Sequence, residues 1–337
     1  MILEDKLDLI VDGIIYTLNP YGGIARIFNN VLPLLCDMDP QLRIKMVFNR
    51  KPLGQYPQHK NISYFNFYKA TRFLWPKKFW RKFTKSVQDN LFSIFIGKGN
   101  EKIWFSTYFT EPPINWAGKK LVFVHDCISE RYSDEIPNAI NSIETKKSSI
   151  IPADKIICNS QTTAEDLHEY YPINLSNVTV AHLGYNKIFR KKNDNEIDLH
   201  IPYRFLLYVG KRKYYKNFSL LLHAFMKWKE NTKIKLVVVG PAWDKYEKEF
   251  LTKNYLEKDV VLFSRPDDHI LCDLYNQAEA FVYPSKYEGF GIPLLEAMAC
   301  GCAIVASDIP STREIAGEIP IYFDPDNPES LKRSLNM

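Results

Sequence analysis

Thirteen short runs rich in β-branched and aromatic residues recur along the chain, with helix-like stretches between most of them. The first seven are LDLIVDG, RIKMVF, ISYFNF, KIWFST, KLVFVHD, DKIICNS and VTVAHLG; the other six are RFLLYVG, IKLVVVG, DVVLFSR, AFVYPS, AIVAS and IYFDP. Apolar runs of this length alternating with helical segments imply parallel sheets, because a parallel strand is buried on both faces and needs a long crossover to reach its neighbour. Between the two sets lies YNKIFRKKNDNEIDLHIPY, which is polar, charged and without a regular period, and reads as a linker. A chain of 337 residues also exceeds the size at which single cores usually stop growing. The expected class is therefore α/β, with an N-terminal Rossmann-like domain over 1–185, a linker over 186–203 and a C-terminal Rossmann-like domain over 204–337.

Composition narrows the setting. Hydrophobic residues make up 46% and charged residues 25%, a balance that buries real cores and argues against disorder. The opening MILEDKLDLIVDG carries acids where a signal peptide needs a basic region, and no apolar run reaches the ~18 residues of a membrane span, so a cytoplasmic location is expected. Six cysteines without a C-x-x-C pair suggest packed thiols rather than a disulfide frame or a zinc site. The net charge of +5 is unevenly spread: residues 67–87 hold seven Lys or Arg, seven aromatics and no acid, with Phe79, Trp80, Phe83 and Val87 at helical spacing. Two readings of this stretch stand side by side, a core-facing helix with a solvated basic side and a peripheral contact with an anionic membrane surface. Nucleic acid is the weaker alternative, since no recognition motif accompanies it, and no nucleic-acid partner is expected.

In open parallel sheets ligands bind beyond the carboxyl ends of the strands, so the residues just after each strand are the ones to weigh. Gly22 and Gly23 open an amphipathic helix, and glycines there let backbone N–H groups approach an anion, although a tight turn explains them as well. His125 and Asp126 close the strand KLVFV, where a histidine can serve a polar ligand or be a satisfied structural group. After RFLLYV come Gly210, Lys211, Arg212 and Lys216, cations that suit a diphosphate or merely a solvated loop. The strand AFVYPS leads into the turn YEGFG, with Glu288 in the turn, and then into a helix whose Pro293 suits its first turn and which carries Glu296. A carboxylate offers several acceptor positions to a vicinal diol, and an apolar strand and a small-residue helix are poor surroundings for two merely solvated acids. Asp37–Met38–Asp39 and Asp324–Pro325–Asp326 both spell D-x-D, but they close a helix-like run and a Pro-rich turn, and no metal site is expected from them or from the seven histidines.

Taken together, YEGFGIPLLEAMACGCAIVAS with its E-x7-E spacing, VGKRKYYKN, the GGI loop and the HD strand end resemble the retaining family-4 glycosyltransferases of the GT-B fold, close to the mannosyltransferase-like bacterial group. The resemblance runs in the correct order from about residue 8 to residue 325. It implies two Rossmann-like domains with parallel sheets facing across a cleft. It further implies that Arg212 and Lys216 neutralise the departing diphosphate, and that Glu296 holds the ribose. Glu288 and the backbone of Gly289, Phe290 and Gly291 would hold the donor sugar, Gly22 and Gly23 would approach the phosphate, and His125 would touch the sugar. Two departures stand out: the chain stops at SLKRSLNM, soon after the last strand, and Lys211 precedes the Arg where many relatives have a small residue, so Lys211 would share the charge work and, with Gly210, contact the donor.

The resulting expectation is a metal-independent, retaining hexosyltransferase without a cofactor. Its donor would be a nucleotide sugar, GDP-mannose or a UDP-hexose, and its acceptor a surface glycan or a lipid-linked glycan, as in lipopolysaccharide synthesis. A nicotinamide oxidoreductase would need a G-x-G-x-x-G turn that is not found. A catalytically silent scaffold is opposed by Glu288, Glu296, Arg212 and Lys216.

Overall fold

The computed structural model describes residues 7–66, 92, 94–96, 102–112, 116–212, 214–229 and 233–336. The basic aromatic stretch 67–87 lies outside them. The chain divides into two compact units: residues 1–125, 138–159 and 164–181 form the first, and 126–137, 160–163 and 182–337 the second. Compared with a single cut at 186–203, two short segments of the first half pack with the second unit. Sequence order alone carries no signal of that.

The first unit contains a seven-stranded sheet, every neighbouring pair parallel, in the order β3-β2-β1-β4-β5-β6-β7. Its strands are β1 (Asp8–Asp12), β2 (Arg43–Phe48), β3 (Ile62–Asn66), β4 (Lys102–Ser106), β5 (Lys119–Val124), β6 (Lys155–Cys158) and β7 (Val178–Val180). Helix α1 (Gly23–Met38) buries Ala25, Phe28, Leu32 and Cys36, the three- and four-residue spacing that sets one helical face against a sheet.

The second unit repeats the plan with six parallel strands in the order β10-β9-β8-β11-β12-β13. They are β8 (Phe205–Val209), β9 (Lys235–Gly240), β10 (Val260–Ser264), β11 (Ala280–Tyr283), β12 (Ile304–Ser307) and β13 (Ile321–Phe323). Alternate strand residues feed two cores. Leu206, Tyr208, Leu236, Val238 and Val282 pack on helix α2 (Phe218–Trp228) through Phe218, Leu221, Phe225 and Trp228. Their neighbours Phe205, Leu207, Val237, Val239 and Phe281 pack on helices α3 (Asp268–Gln277) and α4 (Ile292–Ala299). Such period-two sorting on both faces is why these strands read as continuous apolar runs.

The segment read as a linker is a strap on α3. Phe189 is fully buried against Tyr275, and the Lys192 ammonium pairs with the buried Asp273 carboxylate at 2.5 Å. Asp273 also accepts the backbone N–H groups of Asp198 and Leu199. The polar composition that suggested a free linker instead supplies partners for one helix. All six cysteines are buried free thiols.

Candidate active site

Each sheet reverses its strand order beside its first strand, between β1 and β4 and between β8 and β11, and that crevice is where an open parallel sheet takes its ligand. In the second unit the loops leaving β8 and β11 carry Gly210, Lys211, Arg212, Lys216 and Glu288, and α4 starts just beyond.

Glu288 and Lys216 meet directly: Lys216 Nζ lies 2.6 Å from Glu288 Oε1, with the two side chains 20% and 9% exposed. Burial, and then the negative charge of Glu288, push the Tyr208, Tyr215 and Tyr283 hydroxyls well above their ordinary pKa. These phenols stay protonated near the carboxylate, and the Tyr208 hydroxyl donates to the Lys211 carbonyl. The Glu288 loop is braced from several sides. Lys286 N–H donates to the Tyr215 carbonyl, and Cys127 N–H to the Tyr287 hydroxyl. Ser160 and Thr163 hydroxyls both donate to the Gly289 carbonyl, at 2.5 and 3.0 Å, and the Arg131 guanidinium lies 4.9 Å from the centre of the Tyr287 ring.

Gly291 adopts a φ of +114°, which a side-chain-bearing residue rarely tolerates, and so turns the chain abruptly into α4 with Pro293 in its first turn. Phe290 is buried beside it. Glu296, 3% exposed, accepts from the hydroxyl of Tyr275 on α3 at 3.2 Å. Burial and then the Glu296 charge raise the Tyr275 pKa well above normal, so this donor is permanent in the working pH range.

Arg212 is placed differently from Lys216. Its guanidinium forms a two-pronged pair with Glu247, Nε to Oε1 at 2.8 Å and NH2 to Oε2 at 2.9 Å, and donates to the carbonyls of Pro241 and Ala242. It stacks 4.4 Å from the Trp243 ring centre, and its side chain is 3% exposed. Lys211, by contrast, is exposed and has no ion-pair partner among the described residues.

In the first unit, Gly22 caps α1 and Gly23 begins it. A Cβ on Gly22 would strike the Asn19 side chain, whereas one on Gly23 would meet nothing within 4 Å. The His125 ring lies 4.4 Å from that of Phe123 and 6.4 Å from that of Phe28, and its carbonyl accepts from Asn159.

Both D-x-D pairs have local duties. Asp37 faces His59 at 3.2 Å and Asp39 accepts Gln41 N–H; Asp324 accepts Asp326 N–H and Asp326 pairs with Lys286. Among the described residues no group of three or more His, Cys, Asp or Glu side chains could hold a metal ion, and no helix is long and apolar enough to cross a membrane.

The motifs in the sequence did not point to Tyr208, Tyr215, Tyr275 or Tyr283, nor to Glu247. Tyr283 ends its strand and was findable by position; Tyr275 and Glu247 lie on other elements, and only folding brings them near.

Residues 189–337 match the family described as "Glycosyl transferases group 1". The O-antigen chain mannosyltransferase RfbU of Salmonella typhimurium is 26% identical over 247 residues, which are 72% of this chain and 66% of that protein. An N-acetylgalactosaminyltransferase of Campylobacter jejuni, named for a diphospho-undecaprenol-linked substrate, is 32% identical over 189 residues, 54% of this chain and 50% of its own length. The chain thus spans two thirds or less of these curated relatives. Among solved structures, sucrose-phosphate synthase from Thermosynechococcus elongatus shares the fold, with a TM-score of 0.74 over 98% of this chain and 89% of that one at 17% identity. Residues 189–337 thus match the glycosyl transferases group 1 family, in a chain that has the GT-B fold with its two Rossmann-like domains.

Proposed function

We propose that the protein is a retaining glycosyltransferase that moves a hexose, mannose in the first instance, from a nucleotide sugar to a glycan or lipid-linked acceptor. The observation that carries this reading is the part-buried Lys216–Glu288 pair, set between the β8 and β11 loops with Glu296 on the following helix. The names of the Salmonella and Campylobacter relatives support a bacterial surface glycan built on a lipid diphosphate, and the first of them supports mannose.

In this reading the cationic loop 210–216 meets the donor diphosphate, Glu296 accepts hydrogen bonds from the ribose hydroxyls, and Glu288 accepts from the sugar. The bond from the anomeric carbon to the phosphate oxygen breaks and its electron pair stays with the phosphate. The acceptor oxygen bonds to the anomeric carbon on the same face, and its proton passes to the departing phosphate. Catalysis is then mainly orientation and charge stabilisation, with cations in place of a metal.

The test is a panel of GDP-mannose, UDP-glucose, UDP-galactose, UDP-N-acetylglucosamine and ADP-glucose, each with chelator, read by thermal stabilisation and slow donor hydrolysis. A ligand that binds only the folded state raises the melting temperature by mass action. One donor that stabilises the protein and is cleaved with retention is the expected result. Absence of binding by any nucleotide sugar overturns the reading, and binding only when metal is restored overturns its metal-free part.

A further inference from the structure

The four cations at positions 211, 212, 213 and 216 invite the idea that all serve the donor, but the described side chains divide the work. Arg212 spends its guanidinium on Glu247 and on two loop carbonyls after β9, with Trp243 beneath it. Glu247 is itself fixed, since it accepts Asp244 N–H at 2.8 Å in the capping box of helix α5 (Lys245–Lys253). The approach is so close that a Cβ on Gly240 would lie 2.8 Å from Arg212 NH1 and 2.5 Å from the Gly210 carbonyl oxygen. The neighbouring strands β8 and β9 are thereby fastened together at their carboxyl ends. Turning the guanidinium toward a diphosphate would break a two-pronged ion pair and strand the largely buried Glu247 carboxylate, a loss that one phosphate contact does not repay.

In the same loop Lys211 is exposed and without an ion-pair partner among the described residues, while the Lys211 carbonyl is held by the Tyr208 hydroxyl. At its other end Lys216 is held on Glu288. We propose that Arg212 is a positioning residue, a strut between the β8 and β9 loops that sets Lys211 against the β-phosphate of the donor, and is not itself a ligand of the diphosphate. The proposal rests on the nucleotide-sugar reading above and corrects the role that the motif implied for Arg212.

Calorimetric affinities for GDP against GMP, with UDP against UMP in parallel, isolate the β-phosphate as a ratio. Lys211→Gln lowers that ratio about tenfold or more, the usual scale for losing a charged contact. Arg212→Gln and Glu247→Gln each lower it to a similar extent as one another, because either one releases the strut. Neither lowers it further once Lys211→Gln is present. A ligand role for Arg212 gives a different pattern: Arg212→Gln lowers the ratio, Glu247→Gln maintains or raises it by freeing the guanidinium, and the loss adds to that of Lys211→Gln. That pattern overturns the proposal, as does a fall in melting temperature with the ratio unmoved in both strut variants. If Arg212→Gln does not fold, Glu247→Gln decides, since it leaves the guanidinium in place. A wild-type protein that binds GDP and UDP no better than GMP and UMP overturns the donor reading itself, and the strut assignment with it. Tight diphosphate binding with the ligand pattern overturns only the strut.

Discussion

Replacing Lys216 by Met removes the ammonium 2.6 Å from Glu288 while keeping most of the side-chain volume. Breaking a buried ion pair by deleting one partner typically costs about 3–5 kcal/mol, because the remaining charge is stranded in a poorly solvated place. Here the lysine is 20% exposed and the glutamate 9%, so water reaches part of the pair and screening reduces the figure to about 2–3 kcal/mol. For a unit of this size each kcal/mol moves the midpoint by roughly 2–4 °C, so the second unit should melt about 4–12 °C lower by differential scanning calorimetry. Adding Glu288→Gln neutralises the stranded carboxylate and recovers most of that loss. Under the proposed function donor turnover behaves otherwise: losing Lys216 as a diphosphate cation should lower kcat/KM by more than tenfold, about 1.4 kcal/mol or beyond, and the second substitution should not restore it. Stability that returns while turnover stays low is the signature of a pair that is both structural and functional. If Lys216→Met melts within about 1 °C of wild type and turns over normally, the pair contributes to neither, and the site assignment fails.

Three further outcomes follow from particular contacts. Tyr275→Phe removes the hydroxyl on Glu296 and should destabilise the second unit by about 1–3 kcal/mol, with weaker nucleotide-sugar binding; unchanged donor affinity would separate Glu296 from the ribose. Gly240→Ala drives a Cβ to 2.5 Å from the Gly210 carbonyl, a backbone clash that lowers the melting point, whereas Gly23→Ala meets open space and gains up to about 1 kcal/mol of helix propensity. Equal melting points for the two variants would show the β8–β9 contact to be looser than described. Glu314 gives an acid-side test. Burial alone raises its pKa, but hydrogen bonds from Thr162 and Gln161 N–H, the Thr162 hydroxyl and His182 outweigh this and leave it below the ordinary 4.5. Its stabilisation is therefore complete above the unfolded value and is lost as pH falls through the lower folded value. Glu314→Gln should melt lower than wild type at pH 7 and converge with it on acidification; an equal gap at both pH values refutes the linkage.

Most of the strand segments were legible because a parallel strand covered on both faces reads as a short apolar run, whereas edge strands such as β3 and β7 are only part-buried and owed their legibility to β-branched and aromatic residues. The turn at Gly291 was legible for a similar reason: a strand that must turn sharply into a helix selects glycine and then proline, whatever lies elsewhere in the chain. Glu288 and Glu296 stood out because acids are costly beside such segments. These are local constraints, and sequence by itself determined the fold class and the two-sheet plan and singled out the candidate residues. Which cation serves which acid was decided by tertiary structure. Lys216 finds Glu288 72 positions later, and Arg212 finds Glu247 35 positions later, pairings that no local pattern announces. The strap over α3 shows the same limit: its charges look solvated until Asp273 is placed beneath Lys192. Charge reads alike in a loop, a clamp or a binding site, since the Coulomb energy that separates them depends on distance and surrounding dielectric, quantities that exist only once the chain has folded.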